Sequence, residues 1–183
     1  MASRLEYATK QYGVPILVSG PFQRLCSEPI KKYLREVDKV TVKGSILPIE
    51  LFTVDVDFEG LEETPDRFSS MSAKEKKTLR DQEKKHVQQK LESGYKTTHD
   101  IWSKDPDYKE LRRNYDPMFA KKFGEAYKKY IAGDWATAED IFTQCLKINP
   151  YDGPTKTLKR YIENLNGRAP TNWKGFRELT EKC

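Results

Sequence analysis

The chain has 183 residues, room for one ordinary domain or two small ones, and its 37% apolar and 33% charged residues lean toward charge against the usual ~45–50% and ~25%. Its longest apolar runs, such as Val14 to Val18, fall far short of the ~18 residues a spanning helix needs, and no apolar N-terminal segment reads as a signal peptide, which argues against a membrane-embedded chain. The formal net charge of +5 is spread evenly, with 8 basic against 7 acidic residues in 1–57, 15 against 13 in 58–122 and 10 against 8 in 123–183, so no nucleic-acid partner is expected.

Residues 1–57 mix helical and strand periods. Leu5, Ala8 and Tyr12 share one helical face that ends at Gly13, a residue suited to a left-handed cap. Val14 to Val18 is a short apolar run rich in β-branched residues, and predicts a buried strand. Pro21 opens a helix whose inner side is Phe22, Leu25, Cys26, Ile30 and Leu34, with Pro29 interrupting or kinking it. Val37 to Val42 and Ile49 to Val56 then form a β-hairpin turned by Lys43-Gly44-Ser45. Three strands with one covering face make a thin core, as if the front of the sheet were missing.

Residues 58–116 form a charged helical connector. Ser72 and Glu75 have the spacing of a capping box, in which hydroxyl and carboxylate satisfy exposed backbone N–H groups. The helix that follows has a narrow stripe of Leu79, Val87 and Leu91, with seven Lys/Arg against four Asp/Glu between Ser72 and Glu92. It reads as a solvated connector, the alternative being a docking surface for an acidic partner. Asp105-Pro106 and Asp116-Pro117 each combine a cap with a first-position proline and start further helices. His86 and His99 are isolated and expected to face solvent.

Residues 117–183 carry the clearest helical pattern. Phe119, Phe123, Ala126, Tyr127, Tyr130 and Ile131 make one stripe that stops at Gly133. Asp134 caps a second helix with Trp135, Ala138, Ile141, Phe142, Cys145 and Leu146 inward, ended by Asn149-Pro150. Asp152-Gly153-Pro154 starts a third, with Leu158, Tyr161, Ile162 and Leu165 inward. With Gly133-Asp134-Trp135 at its turn, Ala138 and Phe142 in the small and large slots and Pro150 at its close, the pair resembles a single tetratricopeptide repeat. A lone repeat cannot bury its own faces, so Trp173, Phe176 and Leu179 are expected to pack on it. Cys26, Cys145 and Cys183 are widely spaced and without nearby histidines, which suggests neither a disulfide framework nor a zinc site and fits a reducing, cytoplasmic setting.

Three stretches together carry a wider likeness: Ala2-Ser3-Arg4-Leu5-Glu6, then Lys10-Gln11-Tyr12-Gly13-Val14-Pro15-Ile16-Leu17-Val18-Ser19, then Asp38-Lys39-Val40-Thr41-Val42-Lys43-Gly44. They resemble the last third of a class III adenylyl/guanylyl cyclase catalytic domain. Some members continue into a tail with features similar to Gly133 to Trp135, Asp152 to Thr155 and Trp173 to Lys182. The resemblance covers roughly residues 1–57 and 117–183. It implies an α+β fold, with a partial ferredoxin-like cyclase sheet ending in a β-hairpin, followed by an all-α tetratricopeptide-like tail.

The resemblance also implies chemistry: a nucleoside triphosphate, ATP or GTP, becomes its 3′,5′-cyclic monophosphate and pyrophosphate. Arg4 matches the arginine that neutralises charge on the phosphoryl group in flight, and Lys43 the lysine that holds phosphate. Both residue types donate N–H groups to oxygens gaining negative charge. The ribose-orienting asparagine and the two aspartates that would hold Mg or Mn correspond to positions upstream of Met1, so the chain is expected to hold no metal, to be inactive alone and to need a cyclase half or homodimer partner. A second reading is a non-catalytic interaction module whose helical tail binds a protein partner in an exposed apolar groove beside Tyr127, Tyr130 and Trp135.

Overall fold

The computed structural model describes residues 2–41, 47–57, 68–94 and 97–179, and it divides into two units: residues 1–55 with 116–183, and residues 56–115. The first unit opens with helix α1 (Ala2–Tyr12), which ends at Gly13 with φ +60° as its sequence predicts. The expected strand over Val14 to Val18 narrows to β1 (Val18–Ser19). Pro15 has no N–H to give to a ladder, and the Ile16 carbonyl accepts instead from the Thr53 hydroxyl at 2.8 Å.

Ser19 caps helix α2 (Gly20–Leu25), which carries Pro21 in its first turn and stops at Cys26. Pro29 then sits in the first turn of a separate short helix, α3 (Glu28–Lys31), so it restarts the chain rather than kinking it. Only Ile30 of the expected inner side is buried; Phe22 and Leu25 are 54% and 87% exposed, which corrects their assignment to the core.

Strands β2 (Leu34–Thr41) and β3 (Ile49–Val54) pair antiparallel, as the hairpin pattern predicts, while the Lys43-Gly44-Ser45 turn lies outside the described residues. The ladder skips Val37 between the pairs Glu36↔Phe52 and Asp38↔Leu51. This bulge breaks the alternation of faces, so that two consecutive residues, Val37 and Asp38, are both fully buried.

In the second unit the Ser72 and Glu75 capping box forms with both reciprocal bonds and starts α4 (Ala73–Glu92). This helix buries no residue, in keeping with a solvated stretch, and Val87 and Leu91 are exposed. A helix not anticipated from sequence, α5 (Thr98–Lys104), is opened by the same device on Thr97 and Asp100: each side chain accepts from the other's amide, at 3.2 and 2.9 Å. Asp105 caps α6 (Pro106–Leu111) through the Tyr108 amide. Asp57 closes the unit locally, donating its amide to the Leu111 carbonyl at 2.7 Å and accepting from the Asn114 side chain at 2.6 Å.

The chain re-enters the first unit with α7 (Pro117–Ala132), α8 (Trp135–Ile148) and α9 (Gly153–Asn164). Asp116, Asp134 and Asp152 cap them as predicted, and Gly133 adopts the left-handed conformation between the first two. Phe119, Phe123, Ala126, Tyr127, Tyr130, Trp135, Ala138, Phe142, Leu158 and Ile162 form their shared core. Gly153 shows why the α9 start needs glycine: a Cβ there would stand 1.9 Å from the Tyr12 carbonyl oxygen. The ends of α1 and α9 meet backbone to backbone, and Thr157 adds a hydroxyl bond to the Gln11 carbonyl.

After α9 the tail is not wholly helical. Residues Arg177–Glu178 form β4, which pairs parallel with β2 and completes a mixed sheet in the order β1-β3-β2-β4. The protein is therefore α+β, and its C-terminal segment contributes to the sheet as well as to the helical layer. Ala8, Tyr12, Leu17, Val37, Val40, Ile49, Leu51 and Leu179 form a second core between α1 and the strands. No helix among the described residues is long and apolar enough to cross a membrane.

Candidate functional site

The two cations singled out by the resemblance lie at different places in the chain. Arg4 falls within α1, and Leu5 beside it packs against the core that contains Val40 and Ile49. Lys43 lies outside the described residues, in the segment between Thr41 of β2 and Ile49 of β3. What the structure does describe is how the elements leading to them are held, and two buried charge clusters carry that job.

The first cluster joins α1, β2 and β4. The Tyr12 hydroxyl donates to Asp38 Oδ2 at 2.5 Å, Arg177 Nε donates to the same oxygen at 2.7 Å, and Arg177 Nη2 donates to the Tyr12 hydroxyl at 2.8 Å. Asp38 Oδ1 accepts the Lys39 amide at 2.7 Å. The carboxylate is fully buried and the guanidinium nearly so. Burial, reinforced by the Asp38 charge, raises the Tyr12 pKa well above its ordinary value. Burial works against the Arg177 charge, but Asp38 outweighs it and the pKa of the cation rises as well. Tyr12 is thus a neutral donor and Arg177 a permanent cation at any physiological pH.

The second cluster joins β2, β3 and α9. Arg35 Nη2 donates to Asp55 Oδ1 and Asp152 Oδ1, each at 2.6 Å, while its Nε reaches Asp55 at 2.9 Å. Asp152 also accepts the amide and hydroxyl of Thr155 at 2.8 and 2.6 Å, so one carboxylate caps α9 and anchors the hairpin. The guanidinium lies 4.4 Å from the Phe123 ring centroid, a cation–π contact that offsets part of its lost hydration. Desolvation opposes the Arg35 charge, yet Asp152 and Asp55 together raise its pKa.

Next to this cluster the Tyr127 hydroxyl donates to Glu36 Oε1 at 3.0 Å. Burial raises the Glu36 pKa, with the Tyr127 bond acting the other way. A carboxyl with a raised folded-state pKa contributes stability that is present below its ordinary value and lost as pH rises through the folded one. Glu36→Gln keeps a carbonyl for Tyr127 and removes the charge, so it is expected to raise Tm at pH 7, with the gain fading toward pH 4. Thermal melts at the two pH values check this, and a Tm at pH 7 that falls would show the charge to be favourable.

Among the described residues, Tyr127, Tyr130 and Trp135 do not line an exposed groove. All three are buried in the helical core, where Trp135 stacks on Tyr130 at 5.8 Å and meets Tyr161 and Trp173 edge-on at 5.7 and 5.1 Å. The space that sequence periodicity left open is filled by α9 and by the tail. His86 is exposed as anticipated, whereas His99 is partly buried. Burial pushes the Cys145 thiol up to about 11, which keeps it a protonated core group rather than a nucleophile.

No known family model matches the chain, and no curated protein and no solved structure matches it. The carboxylates of the described core do not fit the Mg or Mn that a complete cyclase would use. Asp38 is spent on Arg177, Tyr12 and a backbone amide, and Asp55 and Asp152 share Arg35. A guanidinium already occupies the oxygens a hard cation needs, and the described residues contain no group of three or more His, Cys, Asp or Glu placed to hold one.

Neither Arg35 nor Arg177 carries a signal in the sequence, and Asp152 reads there only as a cap. A charged residue amid the buried positions of β2 was the signal available for Asp38. Its partner is 139 residues away.

Proposed function

We propose that this chain is the C-terminal portion of a class III nucleotide cyclase, a cyclase sheet remnant carrying a tetratricopeptide-like tail. The observation that supports it best is the element order α1, β1, α2 with α3, then the antiparallel β2 and β3, which coincides with the described residues of the three stretches that resemble the family. In this reading the 3′-hydroxyl oxygen of ATP or GTP attacks the α-phosphorus and pyrophosphate leaves. Arg4 neutralises charge on the phosphoryl oxygens in flight and Lys43 holds phosphate, both as donors of charge-assisted hydrogen bonds. The carboxylates for Mg or Mn come from the other half of the site, in a partner chain that carries the upstream cyclase segment. The pair α7 and α8, with its turn at Gly133-Asp134-Trp135, is the repeat-like element.

The test begins with intact mass and peptide mapping of the protein from its source cells, and continues with the full-length protein. It is expected to form cyclic nucleotide with metal and ATP or GTP, while the 183-residue chain alone forms none. Arg4→Ala is expected to lower turnover by about 10²-fold, the loss of one preorganised charge stabiliser, with an unchanged melting curve. Undiminished turnover would remove Arg4 from the site.

A further inference from the structure

The C-terminal tail reaches the sheet along a defined route. The Trp173 indole N–H donates to the Ile131 carbonyl at 3.0 Å, fixing the segment to the end of α7. Gly175 follows with φ +77°, where a Cβ would press to 3.2 Å on Ile131. The chain then enters β4, with Val40 opposite Arg177 and Thr41 opposite Glu178, and the Leu179 amide closes the ladder on the Thr41 carbonyl at 2.8 Å. From this strand the Arg177 side chain turns inward to touch both Tyr12 of α1 and Asp38 of β2.

We propose that Arg177 is a positioning residue that locks α1 to β2, so that the C-terminal tail sets how the helix carrying Arg4 sits against the sheet. This rests on the cyclase reading. The forked guanidinium is suited to the task because Nε and Nη2 serve two elements at once in a fixed plane, which a lysine ammonium on a flexible stem does not reproduce. The tail thereby becomes a condition for activity: whatever lifts β4 from β2 frees the helix carrying Arg4 from the sheet without touching substrate.

The experiment compares Arg177→Met, Arg177→Lys and Tyr12→Phe in the full-length protein. Tyr12→Phe keeps the ring packing and the Asp38–Arg177 pair but cuts α1 out of the network, so it folds even where Arg177→Met is damaged. Hydrogen exchange is expected to rise together in peptides of α1 and of β2 from Glu36 to Thr41 in Arg177→Met, and in α1 alone in Tyr12→Phe, while α7 and α8 keep their protection. Turnover per folded molecule is expected to fall tenfold or more in Arg177→Met with little change in KM, and to return in part in Arg177→Lys. Unchanged exchange of α1 in either Arg177→Met or Tyr12→Phe, or of β2 in Arg177→Met, overturns the lock. Wild-type turnover with an unaltered kcat in Arg177→Met overturns the positioning role and leaves the cyclase reading standing. A wild-type protein with no turnover overturns the cyclase reading and the positioning role with it, and leaves the lock to be judged on exchange.

Discussion

Asp38→Ala is expected to destabilise the first unit by about 3–5 kcal/mol, because it strands Arg177 as a buried cation without its counter-charge. At this chain length that corresponds to a fall in Tm of about 6–20 °C. The Tyr12 hydroxyl loses its acceptor and the Lys39 amide its carboxylate in the same step. The source of the cost is checked by removing both charges. Asp38→Leu combined with Arg177→Met leaves no unpaired ion, and is expected to recover most of the loss, since an apolar pair of similar volume is often as stable as a buried ion pair. Denaturant titrations of the single and double variants measure this. A single substitution costing less than about 1 kcal/mol would mean that water reaches the guanidinium, and that the cluster is not the sealed joint its geometry describes.

What the sequence made legible was local chemistry. Ser72, Asp105, Asp116, Asp134 and Asp152 cap helices through side-chain oxygens that reach amides two or three residues ahead, and short-range geometry of that kind is written in consecutive residues. The hairpin and the limits of α7 to α9 were legible for the same reason. Long-range pairing was not. Arg35 finds Asp152 across 117 residues and Arg177 finds Asp38 across 139, and nothing in the spacing of either residue announces its partner.

Periodicity identifies an apolar face without saying what covers it. Phe22 and Leu25 therefore read as inward-facing yet are exposed, and Tyr127, Tyr130 and Trp135 read as lying beside an open groove yet are buried. A two-residue strand such as β4 carries no period at all, so only the pairing of Val40 with Arg177 in the fold reveals the sheet's fourth member. Of the candidate site, Arg4 could be assigned to its helix, while Lys43 falls outside the described residues. The clusters that tie those elements together emerged only from the fold.

The helical core gives the second large effect. Trp135→Ala is expected to cost about 3–5 kcal/mol, the range for truncating a fully packed aromatic side chain. Trp135 stacks on Tyr130, meets Tyr161 and Trp173 edge-on, and donates its indole N–H to the Tyr130 carbonyl at 3.1 Å. That carbonyl also accepts the Gly133 amide at 3.0 Å, so loss of the indole bond does not orphan it. Trp135→Phe, which keeps most of the ring contact, is therefore expected to cost nearer the ~1 kcal/mol typical of ordinary substitutions. The gap between the two variants isolates packing from hydrogen bonding. The cavity left by alanine also removes the wall against which Trp173 leans, and Trp173 is the anchor from which the tail reaches β4. Equilibrium unfolding followed by fluorescence of the remaining tryptophans, Trp102 and Trp173, should show a lower midpoint with an unchanged slope. If Trp135→Ala costs no more than Trp135→Phe, the aromatic box closes without Trp135, and the tail draws its hold on the helices from the Trp173 bond to Ile131 alone.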